Sequence, residues 1–196
     1  MPGLELEIDE WLPSSDADPL ARATMASLRI SVDGLSLTEV HDRAAKTVRQ
    51  HIHVPASLVA EWLVMNWWRL RWEPTPERWN SRWAEAHSMA AIGEGYAWPD
   101  LSISSDGVFV RLDMPAEQTY DLAGIRYMTD LTTEIPASQF ERSVDDFLST
   151  VESRVSASRC GEHRLRELIR ELRAERNAED FSRASRRCRL SPLWDP

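Results

Sequence analysis

Three histidines near residue 50 have the side-chain type and spacing that could bind a metal ion. His51 and His53 are two residues apart on a predicted strand, so they share one face of it, and His41 lies on the preceding predicted strand. Imidazole is a common zinc ligand, and three rings could converge on one ion. No carboxylate or cysteine at ligand spacing reinforces this set, and histidines are also tolerated on a solvent-facing strand. We therefore expect no metal and keep the three as weak metal candidates.

A second group of polar residues lies on a predicted tryptophan-rich helix. Glu61, Asn66 and Arg69 are the polar residues of segment 56–72, which is otherwise apolar. A buried charge needs a partner, so Glu61 should pair with Arg69 or with another arginine. Such a network could form a site, but networks of this kind are more often part of the packing.

His87 completes this candidate pocket from the next predicted helix. It could meet the tryptophans around it, and Glu85 and Glu94 are nearby in sequence. A buried histidine with a carboxylate partner could perform acid–base chemistry, but such a residue more commonly bridges groups within a core. A pocket near His87, Glu61 and Arg69 would indicate a small enzyme or a ligand-binding domain.

Complete catalytic motifs are absent from the sequence. It contains no GxxxxGK[ST], GxGxxG, GxSxG or HExxH. Asp145 and Asp146 lie on a predicted helix whose apolar face packs in the core, so they read as a solvated face. Cys160 and Cys188 lack CxxC spacing and are expected to be free thiols, with a disulfide or a shared metal as the alternative. The sequence favours a non-catalytic role without a cofactor.

Tryptophan is concentrated in residues 54–101, which hold seven of the nine. Because tryptophan combines a large apolar surface with an N–H that needs a partner, this density marks either an unusual core or a contact surface. We favour the core and keep a protein-contact surface as the alternative. The candidates for that surface are Trp67, Trp68, Trp72 and Trp79.

The charge is distributed unevenly along the chain. The formal net charge is −9, and residues 156–196 carry ten arginines against seven acids, which leaves residues 1–155 at −12. An acidic body repels nucleic-acid phosphates, so stacking of bases on the tryptophans is disfavoured. Nucleic acid is not expected as a partner, and the arginine-rich segment 159–189 is the one place where it could bind. A protein partner is expected, and a homo-oligomer is an open alternative.

Alternating apolar residues predict several strands. The first is carried by Leu4, Leu6 and Ile8. Asp33-Gly34 and Asp106-Gly107 each stand between two alternating runs, which predicts two hairpins with type I′ turns. A further strand is predicted over 48–54, with Val48 on its buried face, and two short strands are predicted over 125–129 and 131–135. The segment 116–124 reads as a loop.

Helices are predicted over 56–72, 77–91 and 138–155, with a final amphipathic helix near 165–172. Pro55 suits the start of the first, and Ser138 with Glu141 has the spacing of a capping box. These elements predict an α+β fold, with hairpins packed on the tryptophan-rich helical pair. We expect a globular domain over 1–156, a projecting helix over 157–180, and a disordered tail over 181–196.

A cytoplasmic protein is expected. No apolar run approaches the roughly 18 residues that a membrane span needs. The first residues are acidic and do not resemble a secretory signal.

The run AEWLVMNWWRLRWEP, followed by AHSMAAIGEGYAWPDLSISSDG, resembles the N-terminal region of uncharacterised bacterial proteins. Longer members of that group continue into an ImmA/IrrE-type metallopeptidase, a zinc enzyme that cleaves repressors. The resemblance covers about 4–176, and only the tryptophan-rich stretch is specific. No position of this chain matches the peptidase's HExxH, so no catalytic residue transfers. The resemblance implies a non-catalytic accessory or sensing module in a bacterial regulatory or mobile-element system, shortened relative to those longer proteins.

Overall fold

The fold is α+β, with three antiparallel sheets and a central helix among the described residues. A computed structural model describes residues 3–43, 45–76, 81–93, 95–115, 119–120, 124–158 and 163–177. The strands are β1 Leu4–Trp11, β2 Met25–Val32, β3 Leu35–Ser36, β4 Val40–Asp42, β5 Thr47–Arg49, β6 Ile52–Pro55, β7 Ser102–Ser105, β8 Phe109–Met114, β9 Thr119–Tyr120, β10 Ile125–Tyr127 and β11 Leu131–Pro136. The helices are α1 Pro19–Ala23, α2 Ala56–Trp72, α3 Ser81–His87, α4 Ala137–Ala157 and α5 His163–Asn177.

The strands within these ranges form three antiparallel sheets. One has the order β1-β2-β3, with β6 also paired to β2, the second has the order β5-β4-β10-β9, and the third has the order β11-β8-β7. In the first sheet Leu4, Leu6 and Ile8 pair with Val32, Ile30 and Leu28, as their alternation predicts. Their side chains line the face that packs on the helices, and the intervening acids face solvent.

Helix α2 forms the centre of the core. It begins at Ala56 after Pro55 and ends at Trp72, as predicted. Trp62, Trp67 and Leu70 are buried in the same cluster as the apolar faces of the sheets. A helix that is apolar on most sides needs cover on most sides. Here β7, α3, α4 and α5 all pack against it.

Helix α4 covers one side of α2 through the predicted apolar stripe. All six stripe residues are buried: Phe140, Val144, Phe147, Leu148, Val151 and Val155. The predicted capping box is wrong, because α4 begins at Ala137 and its first turn has no side-chain cap. β11 runs directly into the helix, the Ala137 N–H donates to the Val108 carbonyl, and the Glu141 carboxylate pairs with Arg71 instead.

Helix α5 does not project from the body, which corrects that prediction. Its residues Leu165, Ile169 and Leu172 belong to the main core cluster, and the helix packs on α2 and α4. The predicted amphipathic pattern is confirmed, and the apolar face of α5 packs against the rest of the domain. Residues 178–196, which include the predicted disordered tail and Cys188, lie outside the described ranges, as does Cys160.

Other predicted elements differ in their boundaries. The strand expected over 48–54 is two strands in two sheets, because the Gln50 carbonyl between them accepts from the Ser36 and Thr38 hydroxyls. Val48 is consequently 56% exposed. The helix expected over 77–91 is described from Ser81 and ends at His87, where Ser88 bridges to Ser102. The short strand β9 lies within the predicted loop.

Candidate protein-contact surface

Several exposed apolar residues lie near the carboxyl end of α2, where Arg71 contacts both α4 and the turn between β7 and β8. Arg71 is buried, and its Nε donates to Oε1 of Glu141 on α4 at 2.5 Å. Its NH1 donates to the Gly107 carbonyl at 2.6 Å, in the turn between β7 and β8. Arg71 therefore ties this turn to α4, and its guanidinium lies 4.5 Å from the centre of the Trp72 ring.

The Trp72 ring packs directly against Gly107. A β-carbon at Gly107 would lie 2.4 Å from Cζ3 of Trp72, and Gly107 has a φ of +94°. Glycine is therefore required twice, once for the left-handed backbone and once for the close approach. The indole is still 36% exposed.

The turn holds two further apolar side chains in solvent. Val108 is 65% exposed and Phe109 is 46% exposed. The Asp106 Oδ1 accepts the backbone N–H of both residues at 2.8 Å, and these two bonds, that of Phe109 first, lower the pKa of Asp106. These bonds fix the backbone from which both side chains project. We call Trp72, Val108 and Phe109 the turn patch.

A second arginine ties α5 to the helices beside this patch. Arg176 NH1 donates to Oδ1 of Asp145 at 2.5 Å, and its NH2 lies 3.8 Å from Glu141. The guanidinium is 4.7 Å from the centre of the Trp67 ring. Arg71 and Arg176 thus both contact Glu141, which joins α2, α4 and α5 behind the turn patch.

The tryptophans predicted for a contact surface have different environments. Trp67 is 1% exposed and stacks on Phe140 with the ring centres 5.8 Å apart, so it is a core residue. Trp68 is half-buried and donates from Nε1 to Glu175. Trp72 belongs to the turn patch, and Trp79 lies outside the described residues.

The candidate pocket residues are not brought together as one group. Glu61 lies 3.7 Å from Arg164 on α5, which is the cation that its charge needed. Asn66 donates to the Trp62 carbonyl one turn earlier, and Arg69 is half-buried. Glu61 and the end of α2 that His87 contacts are twelve residues apart in the sequence, which is about 18 Å along a helix.

His87 is fully buried, and both of its ring nitrogens are engaged. Nδ1 donates to the Ile103 carbonyl at 2.6 Å, and Nε2 lies 3.1 Å from Oε2 of Glu73. The ring stacks on Trp83 at 4.3 Å. His87 therefore joins α3 to β7 and to the end of α2, which is the bridging role that a core histidine commonly has.

Glu73 is the residue that the sequence reasoning missed. Glu85 is exposed, and Glu94 lies outside the described residues. The short linker Glu73-Pro74-Thr75-Pro76 was the available signal, because it forces the end of α2 and the following helix to lie close together.

The three histidines considered for a metal do not form one cluster. His41 is on β4 in the second sheet, with Glu39 3.6 Å away. His51 and His53 stack 5.4 Å apart beside the first sheet. Burial, followed by the charges of Arg49 and His51, lowers the pKa of His53. In the part of the chain that the structure describes, no group of three or more His, Cys, Asp or Glu could hold a metal ion.

Comparisons with protein-family models, with curated proteins and with solved structures found nothing that matches this chain. The resemblance to proteins with an ImmA/IrrE-type peptidase therefore stays a prediction. Among the described helices, none is both long and apolar enough to cross a membrane.

Proposed function

We propose that this chain is a non-catalytic protein-interaction module that binds its partner through the turn patch. The observation that carries the proposal is the exposure of Val108 and Phe109 at a turn that is fixed by hydrogen bonds and against which the partly exposed Trp72 packs. Aromatic anchors in a rigid frame are typical of protein interfaces, because little conformational entropy is lost when they bind.

The surroundings of the turn patch support this function. Arg71 and Arg176 each pair with Glu141, and Arg71 also donates to the Gly107 carbonyl, so these three charged side chains connect the turn to α2, α4 and α5. The acidic body disfavours nucleic acid as the ligand. The sequence resemblance implies a bacterial regulatory or mobile-element system as the setting.

The environment of His87 gives little support to the alternative, a small enzyme or ligand-binding domain with a pocket at His87, Glu61 and Arg69. His87 is inaccessible and bonded at both nitrogens, whereas a general base must reach a substrate proton. Glu61 is engaged with a different helix.

The test is affinity capture from the native host with a matched pair of variants. The V108S/F109S variant removes most of the exposed apolar surface of the turn patch. The control, V48S/M128S, removes two comparably exposed apolar side chains from the second sheet and its margin. We expect a partner that the wild type and the control capture and that V108S/F109S loses. Equal capture by all three proteins would contradict the proposed function.

A further inference from the structure

Two long strands lie at the edges of their sheets, and they are protected very differently. The first edge strand, β1, carries exposed Glu5, Glu7 and Asp9, and its register with β2 shifts between Ile8 and Glu10. Charges and bulges of this kind are what proteins use to prevent pairing of an exposed edge with another chain.

The edge strand β11 is less protected, because it has no register shift and its proline is the last residue of the strand. Its six residues, LTTEIP, pair with β8 in an unbroken register from Leu131 to Pro136. Glu134 is its single charge, and threonine and isoleucine favour extended chain. No described strand pairs with its second edge. Within the described ranges β11 is therefore a regular strand that pairs with another strand along one edge only.

We propose that β11 pairs antiparallel with β11 of a second copy of this chain, about a two-fold axis at Thr133. Thr133 then lies opposite its own copy, Thr132 lies opposite Glu134, and Leu131 lies opposite Ile135. Paired threonines and paired aliphatic residues are favourable cross-strand neighbours. The two three-stranded sheets become one six-stranded sheet.

The charges on the outer face select this register. Arg111 of β8 lies beside Glu134, and Asp113 accepts a hydrogen bond from Thr132 at 2.6 Å. In the dimer, Arg111 and Glu134 of one copy lie in a row with Thr132 and Asp113 of the other copy on the outer face. No two like charges are adjacent in this row. The neighbouring symmetric registers place Glu134 opposite its own copy or opposite Asp130, so like-charge repulsion disfavours both.

The opposite face of the new sheet is also compatible with pairing. Leu131 and Ile135 lie beside Met114 and Val110 of β8, both of which are fully buried. Pairing two copies continues this apolar row across the axis. The three residues of the turn patch do not belong to β11, although Phe109 of β8 lies opposite Pro136 at the end of this strand.

The experiment measures the mass of the purified full chain by sedimentation equilibrium. We expect a dimer of twice the 22.5 kDa chain. The T132E variant places a glutamate opposite Glu134 at two symmetric positions, and we expect its dimer Kd to rise about tenfold. The double variant T132E/E134K replaces both repulsive pairs with opposite charges, and we expect the dimer to re-form.

The control is S102E, because Ser102 of β7 lies opposite the same Asp113 from the other side of β8. T132E also places a glutamate beside Asp113 within one chain, and S102E reproduces that repulsion. Because S102E leaves β11 unchanged, its dimer should match that of the wild type. A wild type that stays monomeric at high concentration would overturn the proposal. So would a dimer that T132E leaves unchanged, or one that S102E weakens equally. None of these three results decides the capture experiment on the turn patch.

Discussion

The dipeptide Asp-Gly occurs at both hairpins, Asp33-Gly34 and Asp106-Gly107, and the two turns differ. In the first, both residues have positive φ, 53° and 79°, and Val32 pairs with Leu35 across a two-residue type I′ turn. In the second, only Gly107 has positive φ, and Ser105 pairs with Val110. The prediction of two hairpins is confirmed, and the prediction of the same turn in both is wrong.

The difference lies in what surrounds each glycine. Within 4 Å of a β-carbon at Gly34 there is nothing, whereas a β-carbon at Gly107 would meet the Trp72 ring. Arg71 donates to the Gly107 carbonyl, and the Asp106 carboxylate accepts the backbone N–H groups of Val108 and Phe109. The first turn follows local preference, while tertiary contacts shape the second and leave two apolar side chains exposed.

The largest expected effect comes from G107A. A left-handed backbone costs a β-carbon about 1–2 kcal/mol, and overpacking against an indole typically costs about 1–3 kcal/mol more. We expect the free energy of unfolding, measured by urea denaturation, to fall by about 3 kcal/mol. In the W72L/G107A variant, removal of the ring should recover part of this loss. A G107A protein as stable as wild type would show that the turn does not depend on Trp72.

R71M should destabilise by about 2 kcal/mol, because the Gly107 carbonyl loses its side-chain donor and Glu141 keeps only the longer contact with Arg176. The control is R111M, whose guanidinium is 45% exposed and pairs with Asp113. An exposed pair of this kind contributes less than about 1 kcal/mol. Equal urea midpoints for the two variants would mean that Arg71 does not hold the second turn.

G34A tests the other side of the comparison. Gly34 has a left-handed φ but open space around it, so only the backbone term applies and the loss should be about 1 kcal/mol. The same urea measurement should rank G34A clearly above G107A in stability. A loss as large as that of G107A would remove the distinction between the turns.

D106N should have the smallest effect, and that effect should depend on pH. The folded protein lowers the pKa of Asp106 below its unfolded value, so the charged side chain stabilises the turn above about pH 4. This contribution is lost as the pH falls through the folded pKa. The difference in urea midpoint between wild type and D106N should therefore narrow from pH 6 to pH 3. If the difference in urea midpoint stays constant with pH, the charged form of Asp106 does not stabilise the turn.

Local sequence patterns were sufficient for much of the fold. Proline at 55, the Asp33-Gly34 turn and the stripe from Phe140 to Val155 each lie where the pattern predicts. These features depend on backbone preference and on periodic burial, and neighbouring residues in the sequence determine both.

The candidate site depends on contacts between distant residues, which a local pattern does not contain. Glu141 fits a capping box by spacing, yet it pairs with Arg71, seventy positions earlier in the chain. Phe109 is exposed because it begins β8 on the face opposite the buried Val110. The Trp72 and Arg71 contacts that shape the turn beside it come from a distant part of the chain. Sequence reasoning named Trp72 for the contact surface and missed Val108 and Phe109.

The most direct test of the turn patch as the contact surface is photo-crosslinking in the native host, with benzoylphenylalanine in place of Phe109. The control carries the same group in place of Val48, which is also exposed. We expect a discrete covalent adduct with another protein from position 109 and none from position 48. The absence of an adduct at 109, or the same adduct from both positions, would contradict the proposal.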